Sequence, residues 1–293
     1  MAIFTGSGVA IITPFHEDGS INFDHLGALI NFQLANNTDA IIIAGTTGEA
    51  STMTDEEQVA VVKYTVDRVN GRIPVIAGAG SNDTRHGIRL AKMCEEAGVD
   101  GLLLVTPYYN KTSQRGLYQH FKVTAEAVSI PIILYNVPGR TNLTIQPDTL
   151  AELAKIPNIV GLKDATGDLG YTGKVKSVVP EDFAIYSGND DVVVPLLSLG
   201  GSGVISVWAN VCPQEVHDMC AAFFSGNVQK AAEIQVRYKD FIDALFAEPN
   251  PIPLKAAMNI LGTDAGVLRL PLYEASDATK ALLRKTMQQV GLL

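Results

Sequence analysis

Lys163 closes an apolar run, Ile159-Val160-Gly161-Leu162, and is followed at once by the turn-like Asp164-Ala165-Thr166-Gly167. A lysine delivered to the end of a buried strand has two uses. It can pair with Asp164 at the rim, or, once desolvated, it can shed its proton often enough to attack a carbonyl, because burial disfavours the charged form. The ends of other apolar runs supply company for such a nucleophile: Gly45-Thr46-Thr47-Gly48-Glu49, Thr106-Pro107-Tyr108-Tyr109-Asn110, Tyr135-Asn136-Val137-Pro138-Gly139-Arg140-Thr141 and Ser187-Gly188-Asn189-Asp190. Hydroxyls, one lysine and one arginine gather there, with no histidine and no evident metal cage. Imine formation with a keto acid is the chemistry these residue types suit.

The elements that must position them repeat along the chain. Eight apolar, β-branched runs are visible: Gly8–Thr13, Ala40–Gly45, Ile73–Gly78, Gly101–Thr106, Pro131–Tyr135, Ile159–Lys163, Phe183–Ser187 and Gly203–Val207. Runs so uniformly apolar are buried on both faces, the mark of a parallel sheet. Between them lie amphipathic stretches, among them Asp55 to Asn70, Thr84 to Ala97 and Gly116 to Val128, with Thr54 and Asp83 as caps. This alternation predicts an α/β chain folded as a closed (β/α)8 TIM barrel. An open doubly wound sheet alternates in the same way, but no run here leads into G-x-G-x-x-G or a phosphate-binding lysine loop. After Pro213 only helical patterns appear, interrupted at Glu248-Pro249-Asn250-Pro251-Ile252-Pro253. The expected organisation is a barrel core over residues 1–212. Residues 213–293 then form C-terminal helices, including the last barrel helix, packed on the barrel.

Barrel enzymes build their sites from the loops at the C-terminal ends of the strands, where these polar segments fall. Alternation along a strand puts Lys163 on one face with Gly161 and Ile159, and Tyr135 on one face with Ile133. Neighbouring strands lie about 4.8 Å apart, so Lys163 and Tyr135 can reach one small molecule. Ala44 and Gly161, one step below, leave room for it.

Composition fits one soluble globular body, with 47% hydrophobic and 18% charged residues. The formal charge of -9 argues against nucleic acid or an anionic membrane as partner. No apolar run approaches the roughly 18 residues of a membrane span, and no leader pattern is evident. Three scattered cysteines, Cys94, Cys212 and Cys220, suit reduced thiols in a cytoplasmic protein. His217-Asp218-Met219-Cys220 lacks a second cluster that would make it a metal site, and no metal is expected.

Taken in order, Gly45 to Glu49, Thr106 to Asn110, Tyr135 to Thr141 and Gly161 to Lys163 resemble the motifs of the dihydrodipicolinate synthase family. That family belongs to the pyruvate-dependent lyase superfamily related to N-acetylneuraminate lyase, and the resemblance covers essentially the whole chain. It implies condensation of pyruvate with L-aspartate 4-semialdehyde to 4-hydroxy-tetrahydrodipicolinate, the entry to the diaminopimelate route to lysine. No cofactor is implied beyond the covalent Schiff base on Lys163. Tyr135 matches the proton donor and acceptor, and Thr46 and Tyr109 the rest of a hydroxyl relay, Tyr109 being lent across a subunit interface. Thr47, Gly188 and the backbone of Ile205 match positions that hold pyruvate. Arg140 matches the residue that holds the semialdehyde carboxylate, a task suited to a guanidinium fork. A homotetramer of two tight dimers is implied, with a dimer as the alternative.

Two other functions share parts of this pattern: a sugar-acid aldolase of the same superfamily, and a barrel that binds without catalysing. The Tyr135 to Thr141 string and the paired threonines favour the synthase over the first, and the intact nucleophile argues against the second. Two departures from the family pattern stand out. Asn142 occupies a position where the family usually has glycine, so an altered Arg140 loop is expected. Around the family's lysine-feedback site, near Ala50, Ser51, Met53, Asp55, Gln58, Asn82, His86 and Tyr108, Asn82 and Tyr108 match the sensitive enzymes, whereas Asp55, Gln58 and His86 do not. Weak or absent lysine inhibition is expected.

Overall fold

The computed structural model describes residues 2–293. Eight parallel strands close into a barrel in chain order: β1 Gly6–Ala10, β2 Ala40–Ile43, β3 Val75–Gly78, β4 Gly101–Val105, β5 Ile132–Asn136, β6 Ile159–Asp164, β7 Ala184–Ser187 and β8 Gly203–Ser206. The barrel read from the sequence is therefore the observed fold. Its first strand sits lower than the apolar pattern suggested. Gly6 and Ser7 pair with Gly203 and Val204 to close the ring, while Ile11 to Thr13 run on past the ladder toward the mouth.

Helices α1 Phe23–Ala35, α2 Asp55–Val69, α3 Thr84–Glu96, α4 Gln114–Ala125, α5 Pro138–Thr141, α6 Pro147–Leu153, α7 Leu169–Lys176 and α8 Val193–Ser198 connect the strands. The end signals read from sequence act as such. Thr54 and Glu57 form a reciprocal capping box on α2, Asn70 ends that helix in left-handed geometry, and Asp83 caps α3 through the Arg85 amide. After β8 come α9 Pro213–Phe224, α10 Val228–Arg237, α11 Lys239–Ala244, α12 Ile252–Ile260 and α13 Asp277–Val290. The proline-rich break separates α11 from α12. Among the described residues no helix is long and apolar enough to cross a membrane.

Two apolar layers follow from strand alternation. Val9, Ile41, Val75, Leu102, Leu134, Leu162 and Ile185 face the helices, whereas Ala10, Ile42, Ile76, Leu103, Ile133, Ala184 and Ile205 fill the barrel. Phe4 closes the lower end, stacked on Tyr186 at 4.4 Å between ring centroids. One expectation fails here. Ile159 packs in the outer layer, on the opposite side from Lys163, because β6 shifts register against β5: Ile132 pairs with Ile159 but Ile133 pairs with Gly161, leaving Val160 as an extra residue.

The C-terminal helices are fastened to the β2 loop by a buried ion pair. Glu49 meets Lys255 Nζ at 2.6 Å, with side-chain exposures of 0% and 2%. Glu49 also accepts the Arg269 amide at 3.0 Å, and the Arg269 side chain pairs with Glu57 at 2.6 Å. The Phe15 ring lies between Lys255 Nζ at 4.7 Å and the Arg269 guanidinium at 4.2 Å. Removing one member of a buried pair strands the other charge. Lys255→Met should therefore lose about 3–5 kcal/mol in urea unfolding, and Glu49→Gln with Lys255→Met should recover most of it. A single variant as stable as the parent would show the pair to be dispensable.

Candidate active site

Tyr135 and Lys163 are direct partners in the β5–β6 register, and both side chains point into the barrel. Lys163 Nζ sits 4.4 Å from the Tyr135 ring centroid, and Lys163 is only 5% exposed. The rim salt bridge does not form. Asp164 faces the other way, its carboxylate accepting from the Thr166 amide at 3.0 Å, the Thr166 hydroxyl at 2.7 Å and the Thr172 hydroxyl at 2.7 Å. Among the described residues no carboxylate lies within salt-bridge distance of Lys163. Burial lowers the Lys163 pKa to about 8, with Asp190 opposing that shift and Arg140 adding to it. Burial raises Tyr135 to about 12, opposed by Arg140 and by a hydrogen bond with Thr46. A lysine and a tyrosine displaced toward their neutral forms and set side by side can exchange protons with a bound carbonyl compound.

A cavity of about 470 Å³ opens above this pair. Thr46, Thr47, Arg140 and Gly188 line it together with Lys163 and Tyr135. The threonine turn is built by its own backbone, with the Glu49 amide bonded to Thr46 O at 3.1 Å and Glu49 held left-handed at φ 56°. Gly188 is required by close approach, since a Cβ there would lie 2.6 Å from the Ala165 Cβ. Arg140 rides on the short α5, whose Thr141 hydroxyl accepts from Thr106 at 2.9 Å. Asn142 takes the left-handed conformation, φ 51° and ψ 32°, and bonds Pro138 O at 2.8 Å. It thus supplies the geometry a glycine would, as asparagine can, and the α5 turn closes normally.

Two of the residues singled out from sequence do not line the cavity of their own chain. Ile205 is fully buried in the interior layer, and the cavity wall on that side is Val207. Tyr109 is 93% exposed with φ 68°, turned out of the cavity of its own chain, which Tyr108 lines instead. Conversely, the sequence pattern assigns no role to three residues that the structure brings to the site. Asp190 is buried beside Lys163's strand, accepting the Val207 and Trp208 amides at 3.0 Å each. Phe246 and Asn250 line the cavity from the C-terminal segment. For Asp190 the signal is its place two residues after Gly188 at a strand end. Nothing local marks Phe246 or Asn250.

The cavity continues to Ala50, Ser51, Gln58, His86 and Tyr108. Here Asp55 is already engaged, by His86 Nε2 at 2.8 Å and Arg89 Nη2 at 2.7 Å, and the His86 bond with the Arg89 bond holds its carboxyl below the usual range. His86 Nδ1 meets Ser81 Oγ at 2.9 Å, and Gln58 donates to Ala50 O at 3.0 Å.

Comparison with known proteins matches residues 3–290 to the Dihydrodipicolinate synthetase family. The 4-hydroxy-tetrahydrodipicolinate synthase of Acetivibrio thermocellus is 55% identical over 291 residues, 99% of each chain. The crystal structure of dihydrodipicolinate synthase from Thermotoga maritima superposes with a TM-score of 0.97 at 44% identity, covering all of both chains. A dihydrodipicolinate synthase from Cyanidioschyzon merolae, solved with lysine bound, gives a TM-score of 0.97 at 41% identity, again over all of both chains.

The buried amine has a cost that pH should reveal. The Lys163 pKa falls from 10.5 to about 8 on folding, so the penalty is complete below pH 8 and disappears as pH rises toward 10.5. Lys163→Met should be more stable than the parent by about 3 kcal/mol at neutral pH, the gap closing across that window in urea titrations. Equal stabilities at pH 7 would mean that the amine is not desolvated.

Proposed function

Because the chain belongs to the dihydrodipicolinate synthetase family, we propose that this cavity condenses pyruvate with L-aspartate 4-semialdehyde to give 4-hydroxy-tetrahydrodipicolinate. The observation that carries the reading is the buried Lys163 amine, without a carboxylate partner, in register with Tyr135. The neutral amine attacks C2 of pyruvate, and the carbinolamine loses water to leave a protonated imine on Nζ. Loss of a methyl proton gives the enamine, whose C3 attacks the aldehyde carbon of the semialdehyde, and the new alkoxide takes up a proton. The semialdehyde's own amine then adds to the imine carbon and displaces Lys163, closing the ring and freeing the enzyme.

Each step moves a proton, and Tyr135 is the group placed to carry it, passing it to Thr46. A tyrosine with so high a pKa needs a hydroxyl chain to do so near neutrality. Tyr109 completes that chain in a neighbouring copy, which accounts for its outward, left-handed presentation. The assembly is then a homo-oligomer, a tetramer built from two tight dimers in our reading. Thr47 and the close-packed backbone at Gly188 receive the pyruvate carboxylate, and the guanidinium of Arg140 receives that of the semialdehyde. No cofactor enters the scheme.

Borohydride added with pyruvate should fix an adduct on the peptide containing residue 163, found by mass spectrometry. Its rate of formation at low pyruvate should climb about tenfold per pH unit and level off near the Lys163 pKa of about 8. Absence of an adduct on folded protein would remove the reading. For feedback, the Asp55 carboxylate beside His86 is already spent on His86 and Arg89, so an incoming ammonium finds that anion engaged. Lysine should inhibit weakly or not at all, and a submillimolar inhibition constant in a steady-state assay would refute this.

A further inference from the structure

Asn250 stands 203 residues beyond Thr47, yet its Nδ2 donates to Thr47 Oγ1 at 3.0 Å, and its main-chain carbonyl accepts from Arg140 Nη2 at 3.1 Å. It is 6% exposed, and its Oδ1 is buried without a hydrogen-bond partner. A buried acceptor left without a partner loses its hydration with nothing in return. The fold tolerates this amide with one end unsatisfied and the other aimed at the threonine. The direction of that bond matters. A hydroxyl that accepts from an amide has its own hydrogen left to donate, and Thr47 has no protein acceptor for it among the described residues. Thr47 is itself buried except where it lines the cavity, so its hydrogen is left to turn toward whatever fills that space.

We propose that Asn250 is a positioning residue that commits Thr47 to act as a hydrogen-bond donor toward the substrate carboxylate while its backbone carbonyl steadies Arg140. The proposal rests on the reading above, in which pyruvate places its carboxylate at Thr47. It assigns the C-terminal segment a part in substrate recognition, and it separates the two substrates. The side chain of Asn250 serves pyruvate through Thr47, whereas its main chain serves the semialdehyde through Arg140.

Pyruvate titrations with borohydride trapping, read by mass spectrometry, test this in the full-length protein. Asn250→Ala should raise half-saturating pyruvate about five- to tenfold and change the KM for the semialdehyde much less, since the carbonyl persists. Asn250→Asp, though isosteric, should be worse than alanine, because a carboxylate would accept the Thr47 hydrogen and reverse the bond. On a Thr47→Val background Asn250→Ala should add less than about twofold. Should the alanine variant fail to fold, the aspartate variant with and without Thr47→Val carries the same comparison, its excess penalty shrinking once the hydroxyl is gone. Wild-type affinity in Asn250→Asp, or full multiplication of the alanine effect onto Thr47→Val, would overturn the proposal. Absence of any adduct in the parent protein would instead overturn the Schiff-base reading beneath it.

Discussion

A lysine amine enclosed by a barrel with no counter-ion of its own is the constraint around which this molecule is arranged. A charged ammonium there is expensive, and the structure provides no pairing that would make it cheap: the adjacent Asp164 is turned outward and saturated by Thr166 and Thr172. Asp190, the acid that does act on Lys163, is itself buried and desolvated, and spends one oxygen on two backbone amides. The site thus keeps its nucleophile near the point of losing a proton instead of satisfying it. The small residues below, Gly161 and Ala184, leave volume above the packed interior for a substrate to finish the job.

Much of this was legible in the sequence because the decisive signals are local. Apolar runs, their spacing, the Thr54 and Asp83 caps and the polar residues at strand ends are all read within a few positions of one another. What escaped depends on contacts over long separations or on one-residue geometry. Glu49 with Lys255, and Thr47 with Asn250, are each joined across more than 200 residues. Ile159 was assigned to the wrong face because strict alternation cannot anticipate a register shift. The lower start of β1 follows from ring closure with β8, which no property of β1 alone could reveal.

The segment after β8 is more than a covering layer. Through Lys255 and the Arg269 amide it grips Glu49, and through Asn250 it touches Thr47, so the turn is held at two points by residues from the far end of the chain. Arg140 joins the same clasp by way of the Asn250 carbonyl. Loops at a barrel mouth are ordinarily the mobile part of the fold. Here two of them are tied to helices, which favours a preorganised cavity over one that must assemble around its ligand.

The extra residue Val160 in β6 has a developmental meaning for the fold. Were Val160 paired in regular alternation, a strand anchored outward at Ile159 would present position 163 to the helices, so the bulge acts as a phase corrector between an anchor and a chemical group. Length changes near the lower rim can be absorbed at such a point without rotating anything at the mouth. The chemistry is in that sense insulated from the phase set at the opposite end of its own strand.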